Sequence, residues 1–163
     1  MEFERNDPVS TGHVIARVLV PTDFSDGAEK ALTVAIRFAR LLRAAIDLIH
    51  VYPLPAAVTA SPIPGVPFPA PTPEILQDIQ QKLEALATRV RESGLDCLPS
   101  SGEGKAADEI VARANKIDAA LIVMGTHGRT GLKRVLLGSV AEQVLHKATC
   151  PVLVVPIREP SGG

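Results

Sequence analysis

The sequence predicts an α/β protein, a parallel β-sheet with helices on both faces. Three observations carry that prediction. Short apolar runs alternate with longer amphipathic stretches along the chain, the order that βαβ units impose. The runs are apolar at nearly every position, as strands buried on both faces must be. Capping residues, glycines and prolines mark the joins between them.

The elements follow in order. Ile15 to Val20 is apolar and rich in β-branched residues, and it ends at Pro21-Thr22-Asp23, so it reads as the first buried strand. Ser25 and Asp26 both offer N-caps, and Asp26 with Glu29 has capping-box spacing. Ala28, Leu32, Ala35, Ile36, Ala39 and Leu42 then recur at helical spacing through Arg43. Ala45 to Val51 is the second strand. Thr72-Pro73-Glu74 opens the next helix with an N-cap, a proline at the first helical position and an acid in the first turn. Ile75, Ile79, Leu83, Leu86 and Val90 carry it to Gly94, a helix-ending residue. Leu95 to Leu98 reads as a short third strand, Gly102 to Gly104 as a turn, and Lys105 to Lys116 as the third helix. Ala119 to Met124 is the fourth strand. Ser139 is expected to cap a fourth helix running to Lys147, and Pro151 to Ile157 is the fifth strand.

One domain accounts for the chain, residues 13–158, with a flexible tail before it (1–12) and a disordered one after it (159–163). Its 163 residues can bury a substantial core. Between Pro53 and Pro73 lie eight of the fourteen prolines. Proline has no N–H and biases its predecessor to extended backbone, so 53–73 reads as a partly polyproline-like loop: a lid, a binding loop or a mobile insert. A ligand segment for SH3-type domains and self-docking of Val66 and Phe68 both fit its composition.

Composition narrows the function. Apolar residues make up 46% and charged residues 21% of the chain, the balance of a soluble globular protein. Aromatics are 3%, with no Trp, which argues against a stacking platform for single-stranded nucleic acid. A formal net charge of -1 gives no basic field for DNA, RNA or anionic lipid. No apolar run reaches membrane-spanning length, and the N-terminus has no signal-peptide core. The expected location is therefore the cytoplasm. Cys97 and Cys150 are far apart and form no CxxC or metal cluster; they read as small buried apolar residues.

Open parallel sheets bind ligands beyond the carboxyl ends of their strands. Two segments have chemistry suited to such a crevice. One is Pro21-Thr22-Asp23. The other runs from Met124-Gly125-Thr126-His127-Gly128-Arg129 to Leu137-Gly138-Ser139-Val140. Gly125 and Gly128 allow close backbone approach, and their N–H groups can converge on an anion. Gly138 precedes a helix whose first turn has unpaired N–H donors, where the Ser139 hydroxyl can join them. On spacing alone, a phosphate site and a merely tight strand-to-helix connection both fit. The loop is neither a Walker A motif nor a Rossmann GxGxxG. Gly102-Glu103-Gly104-Lys105 is no P-loop, because Pro99 stands at the first glycine position and Ala106 at the Ser/Thr position.

Gly125 and Gly128, nine residues, then Gly138-Ser139 has the form G-x2-G-x9-G-[ST], and here the sequence resembles the universal stress protein family. Ile122-Val123-Met124-Gly125, Pro151 to Pro156, Pro21 to Ser25 and His50-Val51 resemble it too, over roughly residues 15 to 157. The resemblance implies an open, twisted five-stranded parallel sheet of order 3-2-1-4-5, usually in a homodimer. It also implies ATP binding, since the signature is that of the family's ATP-binding branch. Asp23 would contact the ribose and Val51 would offer its backbone to the adenine edge. Met124 and Gly125 would line the nucleoside; Gly128, Gly138, Ser139 and Val140 would hold the phosphates.

The remaining residues keep more than one reading. Asp23 could instead cap the first helix or sit in a satisfied turn. His127 lies beside backbone donors, but no Ser or Cys nucleophile with an orienting acid accompanies it, so a structural or solvent-facing role is expected. His50 reads as a satisfied core or crevice residue. Arg129 is placed to reach a β- or γ-phosphate, whereas Lys133 and Arg134 equally fit a solvated basic face. No carboxylate cluster stands near the loop, so Mg2+ or Mn2+ would arrive with the nucleotide. The last strand, residues 151–157, is apolar at a sheet edge and invites pairing with a second copy. The chain is expected to be an ATP-binding regulatory or protective homodimer with no assigned catalytic residues. A slow ATPase or phosphotransferase and a nucleotide-independent interaction module are the alternatives.

Overall fold

The computed structural model describes residues 16–53, 71–126 and 137–156. The expected tails, most of the Pro-rich stretch, and His127, Gly128 and Arg129 lie outside the described residues. The elements are β1 (Arg17–Pro21), α1 (Asp26–Leu42), β2 (Ala45–Tyr52), α2 (Pro73–Glu92), β3 (Cys97–Glu103), α3 (Ala106–Lys116), β4 (Leu121–Gly125), α4 (Ser139–Lys147) and β5 (Val152–Val155). The five strands form one parallel sheet in the order β3-β2-β1-β4-β5.

Burial on both faces explains the apolar runs. Val18, Val20, Ile46, Leu48 and Val123 meet α1 and α2 on one face; Leu19, Ile49, Ile122 and Met124 meet α3 and α4 on the other. Successive residues of one strand point to opposite faces, so a strand enclosed by helices has little room for polar side chains. Leu48 and Ile122 are fully buried. Truncating either to Ala would cost about 2–5 kcal/mol in lost transfer energy and cavity formation.

The helices begin and end where their local chemistry directs. The Ser25 hydroxyl accepts from the Ala28 N–H at 3.3 Å and caps α1, so Ser25 and not Asp26 is the N-cap. The buried stripe of α1 is mostly alanine, at 28, 31, 35 and 39, which lets the helix lie close on the sheet. Its end is Arg43 in the left-handed region (φ 50°), whose N–H reaches the Ala39 and Arg40 carbonyls. Thr72 caps α2 through its hydroxyl and Pro73 follows, as the sequence indicates.

Two expectations are corrected. The third strand is not a short Leu95–Leu98 segment but runs from Cys97 to Glu103, through the residues read as a turn. Ser100 satisfies its hydroxyl on the Leu48 carbonyl at 2.9 Å, so its polarity is compatible with the strand. The fourth helix is capped by Gly138, with Ser139 its first helical residue. Gly138 has φ -66° and ψ 150°, a conformation open to any residue.

The two sheet edges differ. Asp96 O accepts from Ile46 N and Gly104 N donates to Tyr52 O, so the even-numbered residues of β3 face β2 and the odd ones face outward. Of these, Pro99 has no N–H to offer and the Cys97 carbonyl accepts from Arg91 Nε (3.2 Å) and Nη2 (2.9 Å). That edge is interrupted at these two points, while Ser101 and Glu103 also turn their backbone groups outward. On β5, the Pro151 and Val155 carbonyls accept from Ile122 and Thr126, which turns the backbone groups of Val152 and Val154 to the open side.

One buried charge sits inside the sheet. Asp47 on β2 is fully buried, and Arg113 of α3 grips both its oxygens, at 2.9 and 2.6 Å. Arg17 adds a contact at 3.6 Å. This bidentate fork is what makes an ionised carboxylate tolerable at that depth.

Candidate functional site

The strand order places a switch point between β1 and β4. The chain leaves β1 toward β2 on one side, and it leaves β4 toward β5 on the other, so a crevice opens above their carboxyl ends. A cavity of about 570 Å³ occupies it. The cavity has two chemically distinct sides. Ile49 and Val51 of β2, Ala106 and Ile110 of α3, and Met124 of β4 supply aliphatic surface. Pro21-Thr22-Asp23, Thr126 and the start of α4 supply polar groups.

Of the twelve residues expected at the site, nine are described, and all nine border this one cavity: Pro21, Thr22, Asp23, Val51, Met124, Gly125, Gly138, Ser139 and Val140. Sequence reasoning missed Ile49, Ala106 and Ile110, and it gave Thr126 no role within its loop. Strand alternation could have found Ile49, two residues before Val51 on the same face, and helical spacing could have paired Ile110 with Ala106.

Asp23 occupies the turn that ends β1. Its Oδ1 accepts from the Ser25 N–H at 3.1 Å and from the Ser25 hydroxyl at 2.5 Å, so the satisfied-turn reading describes this oxygen. The turn fixes the carboxylate at the cavity wall. Ahead of it, Thr22 donates its N–H to the Ile49 carbonyl at 2.8 Å. His50, nearly buried, lies with Nδ1 2.8 Å from the Thr22 carbonyl and its ring 4.6 Å from that of Phe24.

Backbone direction decides what Val51 presents. Ala45 N donates to Ala16 O, and Ile49 O accepts from Thr22 N, so residues 45, 47, 49 and 51 turn their backbone groups toward β1. β1 has ended at Pro21, so the Val51 groups face the crevice.

The glycine loop departs from Thr126 and returns at Gly138, and its two ends are tied by the Gly138 N–H to the Thr126 carbonyl at 2.7 Å. The Gly138 N–H is therefore committed to the loop base. The donors remaining at this helix end are those of the first turn of α4, Ser139 to Ala141, and no side chain caps them. Gly125 also has a role other than conformational freedom. A Cβ built there would meet the Gly27 backbone, so the missing side chain makes room for the start of α1.

A family model described as the universal stress protein family matches residues 15–156. The chain belongs to the universal stress protein family. Among curated members, it is 41% identical over 144 residues to universal stress protein MJ0531 of Methanocaldococcus jannaschii, covering 85% of this chain and 81% of that one. It is 33% identical over 145 residues to universal stress protein YxiE of Bacillus subtilis, covering 85% and 97%. The fold of this universal stress protein is likewise shared with solved structures. The M. jannaschii protein MJ0577 superimposes with a TM-score of 0.72 at 28% identity, covering 90% of this chain and 99% of the other. A universal stress protein of Archaeoglobus fulgidus, solved in complex with dAMP, gives 0.63 at 25% identity, covering 86% and 96%.

Proposed function

We propose that this universal stress protein binds ATP in the crevice between β1 and β4 and acts as a cytoplasmic regulatory or protective homodimer. The observation that carries the reading is the division of the cavity into an aliphatic side and a side with backbone and carboxylate groups. A nucleotide is divided in the same way, into a flat base and a polar ribose with its phosphates. The base lies among Val51, Ile110 and Met124, with the Val51 backbone at its edge. Asp23 meets the ribose. Ser139 and Val140, in the uncapped first turn of α4, meet the phosphates, where the helix end favours negative charge. By sequence, Gly128 and Arg129 are expected on the phosphate side, with His127 beside them in the chain; all three lie outside the described residues. The dAMP complex of the A. fulgidus relative supports an adenine nucleotide in this fold. Among the described residues no group of three His, Cys, Asp or Glu side chains could hold a metal ion, so Mg2+ or Mn2+ would come with the triphosphate.

The homodimer forms through β5, residues 151–157 in the sequence, whose Val152 and Val154 present backbone groups to the open edge. Isothermal titration with ATP tests the nucleotide. Saturable binding by the wild type, lost in Gly128→Val while the circular dichroism spectrum is kept, is the expected result. A folded wild type that takes up no ATP overturns the reading. Sedimentation that finds only monomer at micromolar concentration overturns the dimer.

A further inference from the structure

A parallel ladder has a fixed order of bonds. With Thr22 N bonded to Ile49 O, the next bond would run from the Val51 N–H to the Thr22 carbonyl. Among the described hydrogen bonds, that carbonyl accepts instead from a side chain, His50 Nδ1 at 2.8 Å. A carbonyl only accepts, so Nδ1 carries the proton whether the ring is neutral or charged. The ring has little freedom to leave. It is 8% exposed, and Phe24 packs against it with ring planes 30° apart. Phe24 is itself held in the left-handed region at φ 63°, with its N–H on Thr22 Oγ1 at 3.1 Å and Lys82 of α2 5.8 Å from its ring centroid.

We infer that His50 is a positioning residue of the crevice: by taking the Thr22 carbonyl it stops the β1–β2 ladder one step early and leaves the Val51 N–H facing the cavity. The inference rests on the nucleotide reading above. Continued by one bond, the ladder would consume the Val51 donor and draw Thr22 and Asp23 against β2. The base edge and the ribose carboxylate would then be lost together. The left-handed Phe24 follows from the same device, since the chain must turn sharply away from β2 directly after Thr22.

Three variants and two readouts test this. In His50→Leu, ATP affinity should fall by about 10- to 100-fold, the range for losing a buried hydrogen bond that organises a site. In the unliganded protein, the Val51 amide should become more protected from hydrogen exchange. His50→Asn places an amide N–H where Nδ1 stands and should restore affinity to within a few-fold. His50→Gln, whose amide lies nearer the Nε2 position, should not. Wild-type affinity in His50→Leu with unchanged exchange at Val51 overturns the inference. Equal affinity of the Asn and Gln variants does so too, and this pair serves if the Leu variant melts too low to titrate. If the wild type binds no ATP, the nucleotide reading fails, and Val51 exchange in the unliganded variants still decides the role of His50.

Discussion

Gly125 and Gly27 lie back to back where β4 meets the start of α1: a Cβ on Gly125 would stand 3.0 Å from the Gly27 carbonyl oxygen and 3.1 Å from its carbon. Both atoms are backbone, and neither can swing aside. Gly125→Ala should therefore destabilise the protein by about 1–3 kcal/mol through overpacking, read as a lower urea midpoint. Because α1 begins three residues after Asp23, displacing it should weaken ATP binding as well. An unchanged midpoint would show that α1 can yield at no cost.

Breaking one half of the buried ion pair should cost more than removing both. Arg113→Met leaves Asp47 inside the sheet with only the 3.6 Å contact to Arg17, for an expected loss of about 3–5 kcal/mol. Replacing Asp47 by Leu in that background should restore much of it, since two apolar residues of similar size remove the stranded charge. A double-mutant cycle by denaturant titration measures the difference.

Arg43→Gly should stabilise the protein. Arg43 ends α1 at φ 50° with an exposed side chain, and glycine adopts that conformation without the Cβ clash. Relief of a left-handed penalty of about 1–2 kcal/mol is partly offset by about 0.4–1 kcal/mol for the entropy glycine gives the unfolded chain. The net gain is about 0.5–1 kcal/mol, a rise of about 1–4 °C in Tm.

The two thiols should respond differently to alkylation and alkali. Burial pushes the Cys97 thiol up to about 12, with nearby Arg91 opposing part of the rise, and Cys150 is raised by burial as well. At pH 8, Cys97 should react only through unfolding, and the half-buried Cys150 first. A raised folded value means that stability is fully present below the ordinary thiol range and is lost as pH rises through it toward 12. Cys97→Ala should remove this alkaline component of the pH–stability curve.

The opposite sign holds for Asp108. Its carboxyl is held below the usual range, chiefly by the 2.5 Å hydrogen bond from Lys147, which joins α3 to α4. The stabilisation is present above the ordinary carboxylate range and is lost as pH falls through the lowered value. Asp108→Asn should flatten this part of the acid limb, and added salt should shrink the difference between variant and wild type.

The layout of the fold was legible because buried parallel strands and capped amphipathic helices write themselves in local patterns. Ser25, Thr72 and Pro73 marked helix starts within a residue. β3 was obscured because it is an edge strand with one neighbour only: Pro99, Ser100 and Ser101 break the apolar run after Leu98, and Gly102 to Gly104 look like a turn. Asp47 was invisible among apolar neighbours, since its meaning depends on Arg113, 66 positions away. At the site, the residue types that approach the crevice could be read from Pro21-Thr22-Asp23 and Gly138-Ser139. The partners of those residues could not. That Gly125 makes room for Gly27, and that His50 holds Thr22, are long-range relations no local pattern records.

The unlike edges of the sheet set a limit on growth. Strand-by-strand polymerisation needs an acceptor at each end of the growing stack. At β3, Pro99 offers no donor and Arg91 occupies the Cys97 carbonyl, so that end is a poorer template for a new strand than β5. Two copies joined at β5 would turn both of these interrupted edges outward and offer a third copy only a broken ladder to extend. The same proline that hid β3 in the sequence is thus part of what would keep pairing from running on into a fibril.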